Sequence, residues 1–428
     1  MSTIYALSTA PGRAGVAVVR VSGPDAGLAL AALTGRALPE RRRATLARLD
    51  GIDDALVLWF PAPASFTGED VAEFHIHGGR ATLDALFAAL SALPGLRPAE
   101  AGEFTRRAVE HGRLDLTRAE ALADLINAET ESQRRQALRQ YEGGLAALIE
   151  DWRARLVRAA AWAEASIDFA DEEVPGNVLD HAREAVARIA DEIADHLNDA
   201  RRGEIIRNGV HLTLFGQVNA GKSSLLNALA RRDVAIVSPS PGTTRDVIEV
   251  HLDLGGYAVI ASDTAGLRAS TEAVEAEGIR RALDRVAGAD IKLLVLDGTA
   301  ADPWSGLPDI APDLTVWNKA DVPWAAPRDG IAISAKTGQG LDLLIESLAK
   351  IIAQHLESKR ESPLITRARH RHALEGARGA LGRSLMARDQ ELMAEDLRLA
   401  LRALGRITGQ VDIEELLDVV FRDFCIGK

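Results

Sequence analysis

Short hydrophobic runs separated by glycine and proline characterise residues 1–117 of the 428-residue chain. Residues 15–21 and 55–60 are mostly apolar, and residues 71–77 partly alternate between polar and apolar positions. Each of these patterns is typical of a strand, whereas residues 83–93 have the length and spacing of a helix. An α+β domain is therefore predicted for residues 1–117.

Apolar residues spaced three and four positions apart dominate residues 118–209, and the same spacing returns over residues 357–428. Val186, Ile189 and Ile193, for example, would lie on one face of a single helix. Both segments are therefore predicted to be helical and to form the two parts of one all-helical domain.

Residues 210–356, between the helical segments, alternate short apolar runs with amphipathic stretches, which is the pattern of a doubly wound α/β domain. Residues 291–296 have the composition of a buried strand, and residues 247–253 and 257–262 are predicted to form a hairpin. The simplest architecture inserts this domain into the helical one. The predicted fold class is thus multidomain α+β, with ligands expected at the carboxyl ends of the α/β strands.

The composition excludes several classes of protein. No stretch approaches the roughly 20 apolar residues of a membrane span, and the N-terminal residues lack the pattern of a signal peptide. Cys425 is the single cysteine, which excludes an internal disulfide framework and a cysteine-rich zinc site. A cytoplasmic protein without a membrane partner is expected.

The formal net charge of -12 disfavours binding of nucleic acid through the overall charge of the protein. Any RNA partner would have to meet local basic patches. The candidates are residues 41–43, Arg201 with Arg202, and residues 359–371, each of which could equally be a solvated basic surface.

The octapeptide from Gly216 to Ser223, G-Q-V-N-A-G-K-S, matches the phosphate-loop pattern G-x-x-x-x-G-K-[ST]. It lies between a predicted strand and a predicted helix, which is the context that this loop requires. Backbone N–H groups and the helix N-terminus suit phosphate oxygens. Lys222 would reach the β- and γ-phosphates, and Ser223 would bind Mg²⁺.

Three further motifs follow in the order expected for a guanine-nucleotide site. Residues 263–266, D-T-A-G, end a strand and suit the Mg²⁺ shell and the γ-phosphate. Residues 318–321, N-K-A-D, end another strand, where the Asp321 carboxylate can accept the two N–H groups that guanine presents and adenine does not. Residues 334–336, S-A-K, would support the base from the next strand end. GTP is therefore expected rather than ATP.

The loop between the phosphate loop and residues 263–266 contains P-G-T-T-R-D over residues 241–246. Thr244 is the candidate for the second protein ligand of Mg²⁺ and for a switch that reports the γ-phosphate. Leu267 stands where Ras has the glutamine that orients the attacking water, and leucine cannot hydrogen-bond water. Glu275 is the candidate replacement, although a solvated helical glutamate is the commoner role for such a residue.

The predicted nucleotide-binding set is drawn from these motifs and their flanks. It comprises Asn219, Ala220, Gly221, Lys222, Ser223, Ser224, Ser238, Pro239, Ser240, Pro241, Gly242, Thr243, Thr244, Asp263, Thr264, Ala265, Gly266, Asn318, Lys319, Ala320, Asp321, Ser334, Ala335 and Lys336.

Several segments together resemble one family, the MnmE (TrmE) tRNA-modification GTPases, over essentially the full chain. They are F-T-G-E-D at residues 66–70, G-E-F-T-R-R-A at 102–108, R-L-D-L at 113–116, the inserted Ras-like α/β GTPase domain, and the terminal F-C-I-G-K at 424–428. The last pentapeptide after such a domain is highly specific.

The resemblance implies an N-terminal α/β-type domain over residues 1–117 that forms a homodimer and binds 5-formyl- or methylene-tetrahydrofolate. By motif, the matching folate-binding positions are Arg20, Glu73, Arg113 and Lys428. From the residues alone, each would be an ordinary surface residue.

The family also uses K⁺ where other GTPases use an arginine finger. Asn219 matches the K⁺-ligating asparagine, and Ser238, Ser240 and Thr243 fall at the other ligand positions. A monovalent cation there would offset charge that develops on the phosphates in the transition state. Glu275 matches the glutamate that orients the attacking water in the family.

The substrate implied by the resemblance is carbon 5 of a tRNA wobble uridine, which receives a carboxymethylaminomethyl group. The partner would be the flavin protein MnmG, in a heterotetramer, and FAD would belong to MnmG alone. Cys425 is a candidate catalytic thiol, or else an inert cysteine of the tail. Gln217-Val218 and the prolines at 239 and 241 depart from the usual family pattern.

Other functions stay open on the sequence. The chain could be a GTP-dependent ribosome or RNA assembly switch, although no KH-type G-x-x-G module is found. It could also be a nucleotide-binding scaffold with slow hydrolysis. His75 and His77 could suggest a metal site, but no third ligand has suitable spacing, so an ordinary strand is expected there.

Overall fold

The computed structural model describes residues 2–168, 178–236, 249–263, 280, 283–323, 329–356, 365–411 and 427. The chain divides into two compact units. The first contains Met1–Ala123, Tyr141–Arg188 and Gly376–Lys428, and the second contains Asp124–Gln140 and Ile189–Glu375. Part of the predicted helical sequence therefore clusters with the α/β segment, and the boundaries at 117, 209 and 356 stay a prediction.

The described residues form two sets of strands, separated and followed by runs of helices. The strands are β1 (Thr3–Leu7), β2 (Ala14–Ser22), β3 (Thr45–Leu49), β4 (Asp53–Phe60), β5 (Val71–Gly78), β6 (Leu96–Pro98), β7 (Val210–Phe215), β8 (Glu249–Leu254), β9 (Tyr257–Asp263), β10 (Ile291–Asp297), β11 (Leu314–Asn318) and β12 (Ile331–Ala332). The helices are α1 (Ala26–Thr34), α2 (Arg80–Ser91), α3 (Glu103–Glu110), α4 (Leu116–Asn127), α5 (Glu131–Tyr141), α6 (Gly144–Asp168), α7 (Val178–Leu197), α8 (Arg202–Asn208), α9 (Lys222–Leu229), α10 (Leu341–Leu356), α11 (Ala368–Met386) and α12 (Gln390–Thr408).

The sheet of the first unit has the order β3-β4-β5-β2-β1-β6 within the described residues. Its neighbours are antiparallel except for the parallel pair β1 and β6. Alternate side chains, such as Val19, Val21 and Phe74, are buried against Leu30 of α1 and Leu86 of α2. The predicted strands at 15–21, 55–60 and 71–77 are confirmed, because their alternation supplies this one buried face.

A network of charged side chains holds α3 against the loop at residues 66–70. Glu103 accepts hydrogen bonds from Arg97 at 2.6 Å and from Arg107 at 2.8 Å. Arg107 in turn donates to Glu69 at 2.9 Å, and the Ser22 hydroxyl donates to the same carboxylate at 2.8 Å. Because every member has an opposite charge or a polar partner, the cost of burying these charges is offset.

The helical part of the first unit is built on α6 and α12, which pack along each other. Trp152 and Leu156 of α6 are fully buried, as are Leu397 and Leu404 of α12. The predicted helical spacing thus marks the face that each helix buries.

The second unit contains the sheet β12-β11-β10-β7-β9-β8 within the described residues. The strands are parallel except for β8, which forms an antiparallel hairpin with β9. Leu225 of α9 and Leu344 and Leu348 of α10 pack into its core. The predicted doubly wound α/β domain is confirmed. Among the described helices, none is long and apolar enough to cross a membrane.

Glu103 provides a stability test for the first unit. Only 11% of its side chain is exposed, and Glu103→Gln is expected to lower the free energy of unfolding by about 1–3 kcal/mol, since two arginines lose their anion. Burial would raise the pKa of Glu103, but the hydrogen bonds from Arg97 and Arg107 hold it below its usual value. The stabilisation is therefore present above the ordinary glutamate pKa and is lost as the pH falls through the lowered one.

Calorimetry of the full chain at pH 7 and at acid pH would measure the effect. Glu40→Gln is the matched control, because Glu40 pairs with Arg43 but is 67% exposed, and it should change unfolding little. Equal destabilisation by the two variants would show that the buried network contributes nothing specific.

Candidate functional site

The phosphate loop connects β7 to α9 and depends on glycine at two positions. Gly216 has φ of +146°, and a Cβ there would lie 2.1 Å from the Val295 carbonyl oxygen. Gly221 has φ of +92°, and its Cβ would lie 2.1 Å from the Asn318 side-chain nitrogen. Any side chain at either position would therefore push the loop off β10 or off the N-K-A-D segment.

Lys222, the first residue of α9, turns back over this loop. Its ammonium donates to the carbonyl oxygens of Gly216 at 3.0 Å and Gln217 at 2.9 Å. Burial lowers the pKa of Lys222, and the nearby Asp263 partly opposes that shift. A buried amine beside the backbone of a glycine loop is suited to phosphate oxygens.

Ser223 and Asp263 meet at the N-terminus of α9. The Ser223 hydroxyl donates to the Asp263 carboxylate, which ends β9 and is buried. A hydroxyl oxygen and a carboxylate oxygen this close are hard donors of the kind that Mg²⁺ prefers. The structure therefore brings these two residues together, and their role as an Mg²⁺ site stays a prediction.

Asn318 joins the phosphate loop to the segments expected to hold the base. Its side-chain nitrogen donates to the Ala220 carbonyl at 2.9 Å, and its side-chain oxygen accepts from the Ala335 N–H at 3.0 Å. The residue is almost fully buried. Three motifs that lie up to 115 positions apart are thus linked by one amide.

Asp321 lies on the exposed side of this junction. The buried Ser334 donates its hydroxyl to the Asp321 carboxylate at 2.7 Å, and the Thr337 N–H donates to the Ser334 oxygen at 3.1 Å. The hydrogen bond from Ser334 lowers the pKa of Asp321, with a smaller contribution from the charge of Lys336. The carboxylate is therefore oriented and anionic, as reading the two N–H donors of guanine requires.

Two contacts in this region were missed by the sequence analysis. Lys319, whose φ is +70°, donates to Asp297 at 2.5 Å, and Gln217 donates to the carbonyls of Asp302 and Ser305 at 3.0 and 2.7 Å. An aspartate directly after a buried strand, beside the N-K-A-D strand, was a usable signal for the first contact. The second involves backbone acceptors, for which a sequence has no signal.

Several predicted residues lie outside the described part of the chain. They are Ser238, Pro239, Ser240, Pro241, Gly242, Thr243, Thr244, Thr264, Ala265, Gly266, Glu275, Cys425 and Lys428. Of the predicted K⁺ ligands the structure describes Asn219, which is exposed in the phosphate loop with a left-handed φ of +65°.

The first unit brings together two of the residues that match folate positions. Arg20 of β2 and Glu73 of β5 are register partners and form an ion pair of 2.8 Å. The Arg20 guanidinium also lies 5.3 Å from the ring centroid of Phe66 and 5.9 Å from that of Phe104. A charged pair beside two aromatic rings is suited to a flat, polar ligand.

Arg113 and Gly427 lie near the same sheet. The side chains of His111 and Arg113 lie beside Gly68, in the loop that carries Phe66. Gly427 accepts a hydrogen bond from the Ser8 hydroxyl at 3.1 Å, at the end of β1. A Cβ on Gly427 would meet the Leu7 carbonyl oxygen at 2.0 Å, so this close contact requires glycine.

The two histidines of β5 each have a carboxylate neighbour. His75 lies 3.4 Å from Glu73, and His77 lies 2.8 Å from Asp53. Within the described part of the chain no group of three or more histidine, cysteine, aspartate or glutamate side chains is placed to hold a metal ion.

Two family profiles match consecutive parts of the chain. The family profile described as GTP-binding protein TrmE N-terminus matches residues 3–113, and that of the MnmE helical domain matches residues 116–425. The tRNA modification GTPase MnmE of Parvibaculum lavamentivorans is 56% identical over 439 residues, covering 100% of both chains. The chain belongs to the MnmE family.

Other members extend the family to a eukaryote. The MnmE protein of Rhodospirillum rubrum is 53% identical over 459 residues and covers 100% of both chains. A human mitochondrial protein named 5-taurinomethyluridine tRNA synthase subunit GTPB3 is 48% identical, covering 100% of this chain and 93% of its own. Among solved structures, Aquifex aeolicus Era is 22% identical with a TM-score of 0.27, over 42% of this chain and 68% of its own. The family profiles and the relatives that align over the full chain confirm the predicted MnmE membership.

Asp321 provides a test of base recognition. Asp321→Asn is expected to weaken GDP binding on the order of a hundredfold, because the amide replaces one acceptor with a donor. Binding of xanthosine diphosphate should improve, since its C2 carbonyl can accept that donor. Titration calorimetry with both nucleotides would measure the exchange.

Asp329→Asn is the control, because Asp329 is exposed and its backbone carbonyl, rather than its carboxylate, accepts the hydrogen bond from Trp317. An unchanged preference for guanine in Asp321→Asn would remove Asp321 from base recognition.

Proposed function

We propose that this MnmE-family chain hydrolyses GTP and, together with an MnmG-type flavin protein, modifies carbon 5 of the tRNA wobble uridine. The observation that supports the GTPase part most directly is the junction at Asn318. It holds the phosphate loop against Asp321 and Ser334, so one ligand with a phosphate end and a guanine end would span the site.

The residues divide the binding of GTP between them. Backbone N–H groups of the phosphate loop and the Lys222 ammonium would bind the β- and γ-phosphates, and Asp321 would bind the guanine edge. Ser223 would hold Mg²⁺ directly, with Thr244 as a second ligand and Asp263 in its outer shell. When bound, Mg²⁺ offsets the negative charge of the phosphates.

Hydrolysis needs a group that orients water and a charge that compensates the phosphates. Glu275 is proposed for the first role, because Leu267 leaves the usual glutamine position without a hydrogen-bonding group. Asn219, Ser238, Ser240 and Thr243 are proposed to hold K⁺. The exposure of Asn219 in the phosphate loop supports its part in this set.

A one-carbon tetrahydrofolate, 5-formyl or methylene, is proposed for the first unit and would supply a carbon unit to the uridine. Arg20 and Glu73 would bind its polar groups, and the rings of Phe66 and Phe104 would flank its flat part. Arg113 and Lys428 are proposed as further contacts. The contact of Gly427 with the end of β1 supports including Lys428, the next residue in the sequence, in this set.

The outer face of the same sheet supports the proposed homodimer. The side chains of Leu46 and Val16 are 70% and 54% exposed, and Leu56 is also exposed. Leu46 and Leu56 are register partners on β3 and β4, so they form part of one apolar surface. Exposed apolar surface of this kind is typical of an interface.

MnmG and tRNA would be the other partners, and Cys425 is proposed as a thiol that acts in the modification.

The K⁺ proposal predicts a salt effect on turnover. GTP hydrolysis is expected to be about a hundredfold faster in KCl than in NaCl, because a well-placed cation stabilises charge in the transition state. Asn219→Ala should abolish the difference, whereas Asn227→Ala, at an exposed position of α9, should keep it. Phosphate release measured in each salt gives the comparison.

Glu275→Ala, assayed in KCl, should bind GTP normally and lose turnover. Equal rates of the unmodified chain in the two salts would remove K⁺ from the mechanism, and full turnover of Glu275→Ala would remove Glu275.

The tRNA proposal predicts a change in cellular nucleosides. Cells that lack the gene should lose the carboxymethylaminomethyl group from wobble uridines, as measured by nucleoside mass spectrometry. The unmodified gene and Lys350→Ala should restore it, whereas Lys222→Ala should not, because Lys350 lies on an exposed face of α10 and Lys222 lies in the phosphate loop. Normal wobble uridines without the gene would refute the modification role and favour an assembly switch.

A further inference from the structure

Asp297 ends β10 at the edge of the sheet where the phosphate loop lies. Its register partner on β11 is Asn318, so its carboxylate is placed beside the residue that follows, Lys319. The Lys319 ammonium donates to one Asp297 oxygen at 2.5 Å. No motif identified in the sequence includes Asp297.

Thr299 orients the Asp297 carboxylate from the other side. Its N–H and its hydroxyl donate to the second Asp297 oxygen at 2.9 and 2.7 Å. The side chain of Asp297 is 15% exposed, and that burial would raise its pKa, but the hydrogen bonds from Lys319 and Thr299 hold the pKa below the usual value. The carboxylate is therefore a fixed anion at the end of the strand.

The backbone of Lys319 is constrained as well. Its φ of +70° is a left-handed conformation that a side-chain-bearing residue rarely adopts. The neighbours hold it there, because the Asn318 side chain is bonded on both sides and the Ala320 N–H donates to Ile333 at 2.9 Å. With backbone and ammonium both fixed, the long Lys319 chain loses its freedom before any ligand binds.

We propose that Asp297 is a positioning residue for the nucleotide: it holds the Lys319 side chain as a wall of the base pocket, between Asn318 and Asp321. The inference rests on the proposed guanine-nucleotide site. Lysine side chains lose much conformational entropy on ordering, and a partner that orders the chain in advance removes that cost from binding. Thr299 contributes indirectly, because its hydrogen bonds orient the Asp297 carboxylate that holds Lys319.

Asp297→Asn tests the proposal, because asparagine keeps the size and one acceptor but removes the charge. GDP affinity is expected to fall about tenfold, mainly through faster dissociation. Inosine diphosphate should lose the same factor, since Asp297 does not read the guanine amino group. In GTP hydrolysis, Asp297→Asn should raise KM by a larger factor than it lowers kcat. Stopped-flow release of fluorescent GDP and IDP would measure the first two effects.

Asp313→Asn is the matched control and should bind GDP normally. The Asp313 carboxylate accepts a hydrogen bond of 2.8 Å from the Lys292 N–H at the opposite end of β10 and β11. Asp297→Glu should recover part of the affinity. If Asp297 acts through Lys319, the double variant Asp297→Asn with Lys319→Met should bind GDP no more weakly than Lys319→Met alone.

The outcomes distinguish a failure of the proposed function from a failure of the inference about Asp297. If the unmodified chain fails to bind guanine nucleotides, the proposed function fails. If it binds GDP and Asp297→Asn binds equally tightly, with only a lower melting temperature, Asp297 is a structural ion-pair partner and the inference is overturned. Additive losses in the double variant would also overturn it, because Asp297 would then act independently of Lys319.

Discussion

The amide of Asn318 is the contact on which the nucleotide site depends. Its NH₂ group donates to Ala220 of the phosphate loop, and its oxygen accepts from the Ala335 N–H, so the distance between the two ends of the site is fixed. The contact is buried, and an unpaired amide there would carry the full cost of desolvation. The same contact requires glycine at position 221, because a Cβ there would lie 2.1 Å from the Asn318 side-chain nitrogen.

The first unit uses a comparable arrangement of buried polar groups. Glu69 and Glu103 neutralise Arg107, and through these contacts α3 is held to the loop that carries Phe66. That loop and α3 both contribute a ring beside Arg20. In both units, therefore, buried hydrogen bonds between distant segments determine where the candidate binding groups lie, and the hydrophobic cores determine where the strands lie.

Much of the fold could be predicted from local spacing. Strands β2, β4 and β5, the β8–β9 hairpin over Gly255 and Gly256, and the buried face of α7 follow from the local pattern of apolar and polar residues, whereas β1, β3 and β6 were not predicted. The order of strands could not be predicted in the same way, because it depends on pairing between segments remote in sequence. The sheet β3-β4-β5-β2-β1-β6 places the chain's third and sixth strands at its edges, which no local pattern encodes.

The sequence alone determined the chemistry of the site where a motif requires particular residue types at fixed spacing. The phosphate loop needs glycine at Gly216 and Gly221, and N-K-A-D needs its aspartate, so residue types at fixed spacing are sufficient evidence for each motif. Which side chains touch was decided by tertiary structure alone. Asp297 meets Lys319, and Ser334 orients Asp321, because parallel strands bring their carboxyl ends to one edge, and that proximity exists only once the sheet has formed.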